Sequence, residues 1–159
     1  MKYSLTETEK LAAGLAGTLH GGEVFALYGQ LGSGKTTFVQ AFARALNIKR
    51  VTSPTFIMLN LYTVANHPTV HRLCHVDAYR LPAPSATVPQ QHTNLGLEEY
   101  IHDPHTVCLI EWADRIKDSL PEKRTDIFFR HENKNAANEM IANSDITNIR
   151  DITIQKHPA

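Results

Sequence analysis

The stretch GQLGSGKTTF, residues 29 to 38, decides the fold of this chain. It follows the pattern G-x-x-x-x-G-K-[ST], with Gly29, Gly34, Lys35 and Thr36 at the specified positions. This pattern indicates a phosphate-binding loop only where a strand precedes it and a helix follows it. The question for the rest of the chain is therefore whether that context exists.

Both flanking elements are predicted. The run EVFALYG, residues 23 to 29, is apolar and rich in strand-forming residues. The run KTTFVQAFARALNI, residues 35 to 48, places Phe38, Phe42 and Leu46 on one face at helical spacing. The strand, loop and helix together predict a nucleotide-binding P-loop.

The composition of the loop suits a polyphosphate. Its glycines permit positive φ angles, so backbone N–H groups can turn inward, and the N-terminus of the following helix points to the same place. Lys35 is expected to reach the β- and γ-phosphates of ATP, and the Thr36 hydroxyl to bind Mg²⁺. The residues predicted to bind the nucleotide are Gly29, Leu31, Gly32, Ser33, Gly34, Lys35, Thr36, Thr37, Ser53 and Thr55.

Two carboxylates are candidates for catalysis and for holding the metal together with Thr36. Glu111 ends the apolar run VCLIE, which is how a buried strand delivers an acid to the ligand edge of a sheet. Asp77 ends RLCHVD, a less apolar run, and so ranks second. Either acid could instead be solvated or cap a helix. Trp112 is expected on the opposite face of the strand, with core packing as its simplest role.

The loop VTSPTF, residues 51 to 56, follows the P-loop helix and carries Ser53 and Thr55 on either side of Pro54. Proline restrains the loop and favours an extended backbone at the residue before it. Many nucleotide hydrolases keep a γ-phosphate sensor at this place in the chain. The interpretation as a sensor competes with that of a simple turn.

Composition bounds the class of protein. The chain has 159 residues, of which 42% are hydrophobic, which predicts a single domain over 1–159 with a sizeable core. Lysine plus arginine and aspartate plus glutamate balance at 16 each, which argues against gripping nucleic acid by overall charge. Cys74 and Cys108 stand singly in apolar runs and are expected to be reduced core thiols. With no signal sequence and no membrane-length apolar run, a cytoplasmic protein is expected.

The order of elements predicts an α/β, three-layer P-loop NTPase fold. Its sheet is expected to be mixed, parallel around the P-loop and antiparallel towards the C-terminus. An opening helix is predicted, capped by Ser4 with Glu7 or by Thr6 with Glu9, and ended by Gly21–Gly22. Two further helices are predicted at 35–48 and 95–101. The predicted strands lie at 23–29, 55–64, 69–79, 106–112, 125–131 and 150–156. Residues 82–94 are predicted to be a proline-rich surface loop, and the polar, Asn-rich segment 132–149 is left unassigned.

At this point the chain resembles a known family. The motifs GQLGSGKTTF, VTSPTF, HVDAYRL, LGLEEYI and LIEWADRI followed by LP resemble, in order and spacing, those of the TsaE (YjeE) family, over roughly residues 5 to 121. The resemblance implies a bacterial Mg²⁺-dependent ATPase needed for the threonylcarbamoyladenosine modification of tRNA. It implies TsaD and TsaB as partners, with tRNA met mainly through their complex.

The same resemblance implies roles for particular residues. Lys35 and Thr36 would bind phosphate and Mg²⁺, and Ser53 and Thr55 would belong to a switch-like loop. Asp77 with Tyr79–Arg80 would form the Walker B-like region, and Glu111 with Trp112 the catalytic edge. The chain departs from the family in its longer 82–94 loop and its Asn-rich tail, which bear on partner contacts.

Three alternatives remain open. A small-molecule kinase usually brings several arginines over the transferred phosphate from a lid, and the proline-rich loop contains none. A GTPase would need Asn-Lys-x-Asp to recognise guanine, and the nearest string, NKNA, lacks the aspartate. A nucleotide-dependent switch that does not hydrolyse ATP has the same motifs, because sequence does not report turnover.

Overall fold

The computed structural model of the protein describes residues 1–54, 58–81, 96–131 and 149–158. In these ranges the chain forms both helices and strands, as the sequence predicts. The elements are β1 (Lys2–Tyr3), α1 (Leu5–Ala16), β2 (Val24–Gly29), α2 (Lys35–Ala45), β3 (Leu59–Thr63), β4 (Arg72–Asp77), α3 (Leu97–Ile101), β5 (Thr106–Glu111), a 3₁₀ helix (Ala113–Ser119), β6 (Arg124–His131) and β7 (Arg150–His157).

The strands form a mixed sheet in the order β1-β7-β6-β2-β5-β4-β3. The central pairs β6–β2, β2–β5 and β5–β4 are parallel. The outer pairs β1–β7, β7–β6 and β4–β3 are antiparallel. This arrangement confirms the predicted mixed sheet. The two strands expected at 55–64 and 69–79 correspond to β3 and β4, and they pair antiparallel at one edge, as the hairpin expected from the sequence requires.

Two apolar layers cover the two faces of the sheet. On one face, α1 and α2 pack through residues such as Ala12, Phe38 and Phe42 onto side chains of the central strands. On the other face, α3 and the 3₁₀ helix pack through Leu97 and Ile116. Cys74 and Cys108 lie on this second face as buried free thiols, as expected. The three-layer α/β prediction is confirmed.

The boundaries of α1 correct one prediction. Ser4 and Glu7 form the predicted capping box, since the Ser4 side chain accepts from the Glu7 backbone and the Glu7 carboxylate accepts from the Ser4 backbone. The helix, however, ends at Ala16 with Gly17 as its C-cap, and not at Gly21–Gly22. Those two glycines have φ angles of +99° and +80° and form a turn packed against the loop before β5.

Other boundaries differ by a few residues. The helix α2 ends at Ala45 where the sequence predicts Ile48, and β4 covers Arg72–Asp77 within the predicted 69–79. The strand β1 and the 3₁₀ helix were not predicted. The predicted 82–94 loop, and the polar segment at 132–149 apart from its last residue, lie outside the described residues. In the described ranges, no helix combines the length and the apolar character needed to cross a bilayer.

Candidate functional site

The carboxyl ends of β2, β5 and β4 meet at one edge of the sheet. Leu27 and Asp77 are both register neighbours of Glu111, so strands distant in sequence end side by side. Ligands of open α/β sheets bind at this edge. A pocket of about 290 Å³ opens there, lined by Leu31, Gly32, Ser33, Gly34, Lys35, Thr36, Thr37, Ser53, Asp77, Tyr79, Glu111 and Trp112.

The P-loop adopts the backbone conformation that its glycines allow. Gly29, Gly32 and Gly34 have φ angles of +148°, +76° and +103°. A side chain at Gly34 would collide with Arg150, which approaches the loop from β7. A side chain at Gly29 would collide with the backbone of β6. Glycine at position 29 is therefore required by packing against backbone as well as by backbone geometry, whereas at position 34 the positive φ is the stronger reason, because the Arg150 side chain could move.

Lys35 begins α2 and is buried at the floor of the pocket. Its Nζ donates hydrogen bonds to the carbonyl oxygens of Gly29, at 2.7 Å, and Gln30, at 3.0 Å. Burial lowers the pKa of this ammonium group, and the neighbouring carboxylates, chiefly Glu111, act in the opposite direction. The Lys35 ammonium group is thus buried and is held by the two P-loop carbonyl groups.

Glu111 lies opposite the P-loop and joins it by a hydrogen bond. The Thr36 hydroxyl donates to Glu111 Oε2 at 2.7 Å. The other carboxylate oxygen, Oε1, lies 2.9 Å from Nε2 of His75 on β4. The Glu111 side chain is 2% exposed and that of His75 is fully buried. Glu111 is therefore a buried carboxylate with a separate partner for each oxygen.

Asp77 lies beside Glu111 at the end of β4. Its Oδ2 accepts a hydrogen bond from the Ser53 hydroxyl at 2.9 Å. Its Oδ1 accepts one from the backbone N–H of Tyr79 at 3.1 Å. The contact with Ser53 links the loop after α2 to the acidic edge of the sheet. Thr55, the other predicted sensor residue, lies outside the described residues.

Trp112 has two kinds of contact. Part of the side chain packs against the core cluster on the second face of the sheet, as predicted. The ring also lies beneath Lys35, with Nζ 3.9 Å from its centroid, and it packs against Tyr79 at 4.9 Å between centroids. Strand alternation does not apply at Trp112 because its φ is +58°, in the left-handed region. This turn brings an aromatic ring to the pocket, which alternation alone did not predict.

The donor set of the pocket fits a hard divalent cation. Thr36, Asp77 and Glu111 offer hydroxyl and carboxylate oxygens, the ligands that Mg²⁺ prefers. Across the described residues, no group of three or more His, Cys, Asp or Glu side chains could hold a metal on its own.

The structure brings most of the predicted site residues together. Ten of them line the pocket: Leu31, Gly32, Ser33, Gly34, Lys35, Thr36, Thr37, Ser53, Asp77 and Glu111. Gly29 contributes its carbonyl oxygen to Lys35 from behind the loop. His75, which with Arg72 makes the run before Asp77 less apolar, was not among the predicted site residues.

The fold and the pocket define a class of protein, the P-loop NTPases. Comparison with solved structures agrees: a crystal structure of YdiB from Bacillus subtilis superposes with a TM-score of 0.69, at 30% identity, covering 99% of this chain and 86% of that one. The family model for the threonylcarbamoyl adenosine biosynthesis protein TsaE matches residues 3–140. The chain therefore belongs to the TsaE family.

Several curated relatives agree with this assignment. The protein named tRNA threonylcarbamoyladenosine biosynthesis protein TsaE from Bacillus subtilis is 40% identical over 78% of this chain and 72% of its own length. Its namesake from Aquifex aeolicus is 38% identical over 70% of this chain and 73% of its own length. That from Treponema pallidum is 34% identical over 80% of this chain and 87% of its own length.

Proposed function

We propose that this protein is a Mg²⁺-dependent ATPase that takes part in the threonylcarbamoyladenosine modification of tRNA in the cytoplasm. In this proposal it acts on a complex of TsaD and TsaB through ATP binding and hydrolysis. It contacts tRNA mainly through that complex. The names of its relatives and its family support the pathway. The hydrogen bond from Thr36 to Glu111 carries the proposal of catalysis, because it couples the phosphate loop to a buried carboxylate.

The charge of the pocket supports a role for Mg²⁺. Among its described lining residues, Lys35 is opposed by the carboxylates of Asp77 and Glu111. A polyphosphate would meet net negative charge there, and a divalent cation would offset it. Mg²⁺, when bound, would neutralise charge that develops on the phosphate oxygens. Thr36 and the two carboxylates would hold it.

The residues of the chain divide the remaining work. Lys35 would pair with the phosphates, and the P-loop N–H groups would orient them. Glu111 would orient the attacking water or hold the metal, and Asp77, at the end of β4, would help to hold the metal. Ser53, bonded to Asp77, would respond to the γ-phosphate.

One experiment separates binding from hydrolysis. Lys35→Ala is expected to weaken ATP binding by about tenfold to a hundredfold, since a charge-assisted contact contributes roughly 1.5 to 3 kcal/mol. Glu111→Gln keeps the size of the side chain and removes its charge, so it should lower turnover while ATP affinity stays within a few-fold. Calorimetry measures the first effect, and phosphate release with and without TsaD and TsaB measures the second.

The controls decide among the alternatives. Asp118→Asn, an exposed position outside the pocket, should change neither quantity. If Asp77→Asn is slower than Glu111→Gln, Asp77 is the leading carboxylate. ATP binding without phosphate release under any condition would favour the non-hydrolysing switch, and transfer of phosphate to a small acceptor would favour a kinase.

A further inference from the structure

His75 lies inside the layer between the sheet and α2. On β4 it shares a face with Leu73 and Asp77, because alternate residues of a strand point to the same side. Its register neighbour on β5 is Leu109, so Glu111 lies one step further along the same face. The imidazole is therefore held among apolar side chains and directed along β5 towards the pocket.

The contact with Glu111 determines which ring nitrogen carries a proton. An ionised carboxylate only accepts hydrogen bonds, so the nitrogen 2.9 Å from Oε1 must be the donor, Nε2–H. Among the described residues, Nδ1 is buried with no hydrogen-bond partner. The geometry thus assigns the Nε2–H group of His75 to Glu111 as its hydrogen-bond donor.

The two donors together fix the plane of the carboxylate. Thr36 binds one oxygen of Glu111 and His75 binds the other, from the P-loop and from β4 respectively. With a single donor, the carboxylate could rotate about its last bond, and one oxygen would be buried without a partner. We propose that His75 is a positioning residue, which orients the Glu111 carboxylate for hydrolysis. This inference rests on the proposed ATPase function.

Three substitutions test the proposal. His75→Gln can place an amide N–H near the position of Nε2. It removes no hydrogen bond at the position of Nδ1, since that atom has no partner among the described residues. His75→Asn is chemically alike but one methylene shorter, so its amide falls near Nδ1, away from Glu111. His75→Leu removes the donor and fills similar space. Turnover should fall about tenfold to a hundredfold in the Asn and Leu variants, which is the range typical of residues that hydrogen-bond to metal-binding side chains and orient them. The Gln variant should retain most of the native turnover.

A merely structural role would give a different result. Positioning predicts that ATP affinity stays within about threefold in all three variants, with the loss confined to turnover. Loss of stability and of ATP binding in parallel, with Gln no better than Asn, would overturn the proposal. Equal turnover in all variants and the native protein would overturn it too.

A second readout is independent of activity. Nitrogen-15 NMR of the nucleotide-free protein should show a proton on Nε2 of His75, and Glu111→Gln should shift that signal. A ring without a proton on Nε2 contradicts the inference. If Glu111→Gln itself leaves turnover unchanged, the proposed function of Glu111 fails; if it lowers turnover while His75→Leu does not, only the role of His75 fails.

Discussion

Gly29 at the end of β2 illustrates how a single residue is constrained. Its φ is +148°, and a β-carbon there would lie 2.5 Å from the Phe129 carbonyl oxygen, which belongs to the backbone of β6 and cannot move aside. Gly29→Ala should therefore cost about 3 kcal/mol or more, combining backbone strain with overpacking. The measurement is the free energy of unfolding in urea.

Gly96 provides the matched control for that substitution. It also has a positive φ, of +63°, but within the described residues nothing lies within 4 Å of a β-carbon built on it. Gly96→Ala should cost about 1 kcal/mol, from backbone strain alone. Equal costs at the two positions would show that contact with β6 does not constrain the P-loop.

Individual residues also show where sequence reasoning reached its limit. Lys35, Thr36 and Glu111 could be assigned to one site because the P-loop pattern and a strand-end acid each imply a position at the sheet edge. His75 could not, since a polar residue in an apolar run has no visible partner until the register of β4 and β5 is known. An even spacing between His75 and Asp77 was the available signal, as it places both on one face.

At the scale of elements, Asp103 ties the start of β5 to β4. Its carboxylate accepts hydrogen bonds from the Thr106 hydroxyl, the His105 backbone N–H and the Arg72 guanidinium. These contacts, led by that of Thr106, lower the pKa of Asp103 to about 2 from an ordinary 3.8. A carboxyl group with a lower pKa in the folded state stabilises the fold above its unfolded pKa, and that stabilisation is lost as the pH falls.

Asp103→Asn should lower the free energy of unfolding by about 1 to 2 kcal/mol at neutral pH, because it removes hydrogen bonds to a charged acceptor. The difference from the native protein should be constant above about pH 5 and shrink between about pH 4 and pH 2. Urea unfolding across this range measures it. Asp118→Asn, at an exposed position, should show no such difference. A gap that is unchanged at low pH would mean that the charge of Asp103 is not what stabilises this junction.

The elements differ in how well the sequence predicts them. Strand β5 is buried throughout and β2 over its first four residues, and both contain a continuous apolar run, so their signal does not depend on the rest of the fold. By contrast, β1 has two residues and exists only because Lys2 and Tyr3 pair with β7 at the other end of the chain. The 3₁₀ helix follows from the left-handed turn at Trp112, which residue preferences do not encode.

At the scale of the whole molecule, the strand order explains how the site forms. Lys35, Asp77 and Glu111 come from three separate parts of the chain, and the parallel pairing of β2, β5 and β4 gathers them at one edge. The chain carries no net charge, with His neutral, which gives it little long-range attraction to nucleic acid. In the proposed function, any selectivity for the tRNA system would thus come from protein contacts, and the nucleotide would control them.

The Ser53 loop provides a physical basis for that control. Ser53 lines the pocket and bonds to Asp77, so its loop can respond to the presence of a γ-phosphate. A ligand shifts docking only by its differential affinity for two states of a protein. We therefore expect tighter association with TsaD and TsaB in ATP than in ADP. Lys35→Ala, which should not hold ATP tightly, should dock equally in both nucleotides.

Sedimentation of the protein with the TsaD and TsaB complex, in ATP and in ADP, tests this expectation directly. The isolated protein should bind tRNA weakly, and that binding should fall steeply as salt is raised, because contacts to phosphate depend on the release of counterions. Equal docking of the native protein in ATP and ADP would remove the nucleotide switch. Tight binding of tRNA by the isolated chain at physiological salt would show that the chain recognises RNA itself, and that balanced charge conceals a local RNA-binding surface.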